Sequence, residues 1–244
     1  MPGFPVPGIE MPFANMPVTK VLFTKMPFTK MPFVRMARRC AGAALLSCLA
    51  VLSLTPVEAR ADTILVMGDS LSAAYGIDPQ AGWVNLLKQR LGDEHEVVNA
   101  SISGETTSGG SGRLPDILRQ YHPDIVLLEL GGNDGLRGLS PQQMQVNLAK
   151  MIERSQEAGA EVLLLGIEVP PNYGPAYTQA FREVFIQLAS EHDVPLVPFL
   201  LEGVDLDGML QSDGIHPTAE AQPIILENVW PKLEPMLSPS DEEK

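Results

Sequence analysis

Short, nearly unbroken apolar runs alternate with longer stretches in which apolar residues recur every three or four positions. The runs fall at residues 63–67, 96–99, 125–130, 162–166 and 196–197. Continuous Val, Ile and Leu without a polar alternation suits strands covered on both faces. The amphipathic stretches at 82–91, 113–121, 141–158, 175–192 and 218–237 read as helices. Ser140-Pro141 supplies an N-cap and a first-turn proline for the third of these. Regular strand–helix alternation predicts an α/β fold, a parallel sheet of five strands joined by right-handed crossovers between two helical layers. Such sheets bind ligands outside the carboxyl ends of their strands. The polar residues that follow each apolar run are therefore the ones to read for chemistry.

The first 61 residues break this pattern. Residues 40–54 form an apolar run preceded by Arg38-Arg39 and followed by Ala59-Arg60-Ala61. A basic start, a short apolar middle and an Ala-x-Ala end describe a cleavable secretory signal, here residues 36–61, with cleavage expected after Ala61. The run is short for a membrane span. Residues 1–35 carry pentapeptide repeats such as Met26-Pro27-Phe28-Thr29-Lys30, whose prolines prevent a helix and which cannot build a core. Met36 is the expected true start. A domain at 62–237 and a loose tail at 238–244 complete the chain.

The chain has 244 residues, a formal net charge of −13 and two cysteines, Cys40 and Cys48, both in the signal. Residues 62–244 therefore offer neither a disulfide nor a thiol. That segment holds 10 Lys and Arg against 28 Asp and Glu, a net charge of −18. So acidic a chain disfavours nucleic acid and anionic lipid surfaces as partners. It suits solubility, or life in a salty medium that screens self-repulsion.

Four polar motifs follow the apolar runs: Gly68-Asp69-Ser70-Leu71, Ser101-Ile102-Ser103-Gly104, Gly131-Gly132-Asn133-Asp134 and Asp213-Gly214-Ile215-His216. Asp69-Ser70 suits a turn cap as well as a nucleophile, and Gly68 permits a tight turn that lifts Ser70 above the sheet edge. Position 72 is Ser, so the Gly-x-Ser-x-Gly elbow is absent. Of four histidines, His95 abuts the start of a strand, while His122 and His192 close helices. Only His216 lies in a polar loop with a carboxylate, Asp213, three residues before it. One turn would bring Asp213 to the imidazole, where it would set the tautomer and stabilise the imidazolium. Gly104 can offer an unobstructed N–H, Asn133 an amide and Ser70 its own N–H to a developing oxyanion. Asp134 is expected to orient Asn133 or to cap the next segment. Together these parts make acyl transfer through Ser70, Asp213 and His216 the expected chemistry. Asp69, Asp134, Asp213 and His216 could converge, but one usable His and no close carboxylate pair argue against a metal.

With these residues assembled, the chain resembles the SGNH-hydrolase (GDSL) family, whose name-giving residues would be Ser70, Gly104, Asn133 and His216. It is similar in particular to the periplasmic branch of multifunctional thioesterases, lysophospholipases and arylesterases. The blocks at 68–73, 98–104, 129–138, 171–174 and 213–217, with Ala221-Gln222-Pro223, carry that likeness. The resemblance implies a flavodoxin-like α/β/α sandwich and hydrolysis of small-molecule esters and thioesters without a cofactor. It implies a periplasmic or secreted protein, without a stable anchor after cleavage and expected as a monomer. A carbohydrate-ester deacetylase with the same machinery is the alternative; a non-catalytic secreted binding module is a more distant one. The acyl chain is expected against loops 105–112 and 168–178. The first contributes Ser108 and Gly109 and is expected to move. The second contributes Tyr173 and Tyr177 as a stiffer wall. Ala74 and Glu168 depart from the family pattern beside the nucleophile and the acyl site.

Overall fold

A computed structural model of the protein describes residues 61–205 and 207–238. The expected signal and the repeats before it, with residues 239–244, lie outside the described residues. Five parallel strands, β1 (Thr63–Gly68), β2 (Glu96–Asn99), β3 (Ile125–Glu129), β4 (Glu161–Leu165) and β5 (Leu196–Val197), form one sheet in the order β2-β1-β3-β4-β5. The order reverses between β1 and β3, the switch point at which doubly wound sheets bind their ligands. All five residues of β3, and Ile64 to Gly68 of β1, are buried, as the apolar runs Ile125–Leu128 and Ile64–Met67 require; Glu129 is the buried exception.

Helices α1 (Trp83–Leu91) and α6 (Gln222–Leu233) pack together; α2 (Thr107–Tyr121), α4 (Pro141–Glu157) and α5 (Pro175–Glu191) form a second layer, and a short α3 (Gly132–Leu136) follows β3. This is the flavodoxin-like α/β/α sandwich. Trp83, Leu87 and Leu91 of α1 and Ile225, Val229 and Leu233 of α6 are buried in one layer, and Leu114, Leu148, Met151, Phe181 and Phe185 in the other. Gln222 is buried between α1 and α6 and accepts from the Trp83 N–H at 3.0 Å, satisfying a donor at the α1 N-terminus that Gly82 cannot cap.

Two element boundaries differ from expectation. The segment 218–237 is one 12-residue helix, α6, flanked by 3-10 turns at Ala219–Ala221 and Glu234–Met236. Prolines 223 and 235 stand at those junctions. More consequentially, α2 begins at Thr107, six residues before the expected start, so most of the supposed mobile loop is helix. Gly-rich sequence is a poor helix former, but here packing wins. A Cβ at Gly110 would lie 2.4 Å from Leu130 Cδ1, so only a small residue lets this turn approach the sheet. The helix start is also capped twice. The Thr106 hydroxyl accepts from Gly109 N, and the buried Asp134 carboxylate accepts from Thr107 N at 2.8 Å and Thr107 Oγ1 at 2.6 Å. Pro115 lacks the N–H that would bond the Ser111 carbonyl, and Arg154 Nη1 donates to that oxygen at 2.8 Å instead.

The two ends of the domain meet at Asp62. Its N–H donates to His95 Nδ1 at 3.1 Å, and its carboxylate accepts from Ser238 N and Oγ at 2.7 and 2.9 Å. Ser238, expected to open the loose tail, is thus tied to the residue expected to start the mature chain.

Candidate active site

The site is built where β1, β2 and β3 end. Gly68 pairs with Glu129 in the β1–β3 register, and a Cβ at Gly68 would fall 2.6 Å from Glu129 Oε2 and 2.7 Å from Ser72 Oγ. Glycine here lets a carboxyl group lie directly beneath the turn that carries Ser70. Glu129 Oε2 accepts from Asp69 N at 3.0 Å and Ser72 Oγ at 2.8 Å, which pins the turn from below. The Asp69 and Ser70 carbonyls accept from Ala73 N and Tyr75 N, and Asn99 of β2 donates to the Ser72 carbonyl at 2.8 Å. Ala74, in the same turn, has φ 56°, the left-handed region that glycine occupies more easily.

Ser70 Oγ lies 2.9 Å from His216 Nε2, and His216 Nδ1 lies 2.6 Å from Asp213 Oδ2. The other Asp213 oxygen accepts from Ile215 N and His216 N at 2.9 and 3.0 Å. Hydrogen bonds from the His216 backbone and ring, then from Ile215, hold the Asp213 carboxyl down at about 2. An ionised Asp213 against Nδ1 places the ring proton there and leaves Nε2 as an acceptor facing Ser70. The Tyr75 ring covers the imidazole with centroids 4.4 Å apart. The three residues expected to cooperate from 146 positions apart are therefore one continuous chain of hydrogen bonds.

Gly104 adopts φ 80°, and Arg137 Nη2, just past α3, donates to its carbonyl at 3.0 Å. The same loop is tied to β1 through Ile102 N and the Gly68 carbonyl at 3.1 Å. Asn133 lies in the first turn of α3, and its Nδ2 donates to Asp69 Oδ2 at 2.9 Å. Asp69, rather than the expected Asp134, orients that amide; Asp134 instead caps α2.

Asp69 and Glu129 form a buried carboxyl pair, where the sequence predicts no close carboxylates. Burial pushes Asp69 up to about 6, against the hydrogen bonds from Leu71 N and Asn133. Glu129 is completely buried, and desolvation, then the Asp69 charge, pushes it well above its ordinary 4.5. Both Asp69 oxygens accept hydrogen bonds, whereas Glu129 Oε1 has no partner among the described residues. Asp69 is therefore the member that carries the charge, and Glu129 the member that keeps the proton. A lone Glu inside the apolar run at 125–130 was the available signal.

A cavity of about 450 Å³ opens beside Ser70, large enough for a small-molecule ligand. Leu71, Leu136, Ile167, Val169, Pro170, Pro171, Phe199, Leu201, Leu210 and Ile215 line it, with Asp69, Asn133 and Glu168 as its polar groups. Glu168 pairs with Arg182 Nη2 at 2.8 Å. Ser108, Gly109, Tyr173 and Tyr177 are not among the lining residues. Ser108 and Gly109 sit exposed in the first turn of α2. The Tyr173 and Tyr177 hydroxyls donate to the Leu136 and Leu139 carbonyls at 2.7 and 2.8 Å, fastening the end of α3 to the 3-10 turn before α5 and the turn after α3 to α5. Phe199, Leu201 and Leu210 were missed because they fall in an irregular segment with no periodicity to assign their facing. Among the described residues no group of three or more His, Cys, Asp or Glu is placed to hold a metal ion.

Residues 66–223 match the GDSL-like Lipase/Acylhydrolase family. Esterase TesA of Pseudomonas aeruginosa is 56% identical over 197 residues, covering 79% of this chain and 98% of that protein. Thioesterase 1/protease 1/lysophospholipase L1 of Escherichia coli (strain K12) is 47% identical over 186 residues, covering 76% of this chain and 89% of its own. The crystal structure of TesA matches the fold with a TM-score of 0.70 at 56% identity, over 72% of this chain and 100% of that one. With this match over residues 66–223 and these relatives, the chain belongs to the GDSL-like lipase/acylhydrolase family.

Proposed function

We propose that the protein is a serine esterase and thioesterase that hydrolyses small-molecule acyl esters through an acyl-enzyme on Ser70. The observation that carries this reading is the unbroken Ser70–His216–Asp213 chain at the edge of an apolar cavity. His216 Nε2 takes the Ser70 hydroxyl proton as Oγ bonds the acyl carbon. The N–H groups of Ser70 and Gly104 and the Asn133 amide receive the oxyanion, where each well-aimed donor contributes about 3 kcal/mol. His216 passes the proton to the departing oxygen or sulfur as the tetrahedral species collapses. Water then repeats the sequence on the acyl-enzyme, and Ser70 regains its proton as the fatty acid leaves.

The apolar lining formed by Ile167, Val169, Leu201 and Leu210 supports an acyl chain lying against these residues. Such a wall favours medium acyl chains over the acetyl groups of a carbohydrate ester, as do the relatives named as esterase, thioesterase and lysophospholipase. The expected signal at 36–61 supports a periplasmic or secreted site of action, with a single free subunit as the working form.

The test is hydrolysis of matched p-nitrophenyl esters and acyl-CoA thioesters, from acetyl to palmitoyl, by the protein and its Ser70→Ala variant. Turnover that favours longer chains and disappears with Ser70 is expected. Activity confined to acetyl esters would favour the deacetylase, and activity that survives Ser70→Ala would remove the serine mechanism.

A further inference from the structure

The loop that carries Asp213 and His216 is organised within itself. Gln211 N donates to the His216 carbonyl at 2.7 Å, Gly214 N to the Gln211 carbonyl at 2.9 Å, and Leu210 bridges Pro217. With the Asp213 bonds to Ile215 and His216, these contacts fix the imidazole relative to its carboxylate. None of them fixes it relative to Ser70. The loop is open to solvent: the Asp213 side chain is 38% exposed and Ile215 43%. A rigid displacement of about 1 Å would leave every internal bond intact and still cost on the order of 100-fold in rate.

One side-chain amide crosses the gap. Gln211 Nε2 donates to the Tyr75 carbonyl at 2.8 Å and to the Pro217 carbonyl at 3.0 Å. A primary amide has two N–H groups on one nitrogen, so it can serve both acceptors at once. Tyr75 belongs to the nucleophile turn, since its N–H donates to the Ser70 carbonyl at 3.2 Å. The bonds Ser70–Tyr75, Tyr75–Gln211 and Gln211–His216 thus close a ring with the reacting Ser70–His216 contact. The chain leaves room for this crossing. Gly76 has φ 75°, and a Cβ there would lie 2.1 Å from Gln211 Oε1.

We propose that Gln211 is a positioning residue: its amide holds the nucleophile turn against the His216 loop and so sets the Ser70–His216 distance. It touches no reacting atom, and the proposal rests on the serine mechanism above. Gln211→Met keeps the length without a donor, and Gln211→Glu keeps the shape and cannot donate at pH 8. Both are compared with the unsubstituted protein and with Ser70→Ala.

Four quantities are read at pH 8: kcat and KM for p-nitrophenyl butyrate, the rate at which a phosphonate ester phosphonylates Ser70, and the downfield proton resonance of His216 Nδ1–H. The expected result is a ~10- to 100-fold fall in kcat in both variants, with KM within about twofold, phosphonylation slowed in parallel and the downfield proton retained. That combination separates a displaced loop from a dismantled one. The proposal is overturned if either variant keeps kcat within about twofold while Ser70→Ala is inactive, or if the downfield proton is lost with the activity, which would mark Gln211 as general support for the loop. Activity that persists in Ser70→Ala overturns the serine mechanism itself.

Discussion

Asn133 Nδ2 donates to Asp69 Oδ2 at 2.9 Å, so the residue just before the candidate nucleophile sets which end of the Asn133 amide faces the reaction. Asp69 has both oxygens engaged as acceptors, a role only the carboxylate fills on both sides. In Asp69→Asn the new amide can offer a donor to Asn133 and turn it around. A fall in kcat of ~10- to 100-fold is expected, approaching the loss of one oxyanion donor, with KM nearly unchanged because the interaction matters only in the transition state. Steady-state kinetics on a short ester checks this; a rise in KM at constant kcat would assign Asp69 to substrate binding instead.

Glu129 is expected to behave as a neutral acid. Glu129→Gln preserves an acceptor for Asp69 N and Ser72 Oγ, and should stay within about 1 kcal/mol of the parent near pH 4, where the acid is neutral in the folded and the unfolded chain alike. Glu129→Ala leaves a cavity and two unpaired donors and should cost about 3–5 kcal/mol. The pH dependence has a definite sign. Because the folded-state values of Glu129 and Asp69 lie above their unfolded ones, the stability they contribute is complete below about pH 4 and is lost as pH rises, for Asp69 through about 6. The parent should therefore weaken toward alkaline pH more than Glu129→Gln does. Urea unfolding from pH 4 to 9 measures both slopes, and parallel slopes would mean that Glu129 is not the proton holder.

Ala74 occupies a left-handed backbone with φ 56°. That conformation costs an L-residue about 1–2 kcal/mol, while glycine adds back about 0.5–1 kcal/mol of unfolded-chain freedom. Ala74→Gly should thus raise stability by about 0.5–1 kcal/mol, seen as a higher urea midpoint at unchanged slope. A lower midpoint would show that the Ala74 methyl contributes more packing than its backbone loses.

Chain-length preference should follow the cavity lining. Val169 lines the cavity, whereas Tyr177 does not and instead holds the Leu139 carbonyl. Val169→Trp should shift the preferred p-nitrophenyl ester toward shorter acyl chains. Tyr177→Ala should leave the ratio of long- to short-chain turnover unchanged while lowering stability by about 1–2 kcal/mol, as loss of a partly buried ring and its hydrogen bond implies. A change of preference in Tyr177→Ala without one in Val169→Trp would place the acyl chain elsewhere.

All five strands and their parallel pairing were legible in the alternation of apolar runs and helices, most plainly in β1, β3 and β4, because a strand covered on both faces leaves little freedom for polar residues. The motifs after β1, β2 and β3 were legible for a related reason: turns and caps demand particular residue types within a few positions. The start of α2 was not. Residues 107–112 have poor helix propensity, and their helix exists because Asp134 and Thr106 cap it and because Gly110 fits against Leu130. Tyr173 and Tyr177 were expected at the acyl chain because aromatic residues near a site suggest a wall, yet their hydroxyls bond carbonyls at the end of α3 and in the turn after it.

Local chemistry along the chain thus pointed to candidates for nucleophile, base and carboxylate, since Asp213 and His216 are three positions apart and Ser70 follows the end of β1. The distances that turn those residues into a site belong to contacts between segments far apart in sequence. Glu129 lies under Ser70 because β1 and β3 pair in one register, Asp69 reaches Asn133 across 64 positions, and Gln211 reaches Tyr75 across 136. Hydrogen bonds act over about 3 Å, so only the packing of the sheet and its loops, and no local pattern, can decide which of the available polar groups meet.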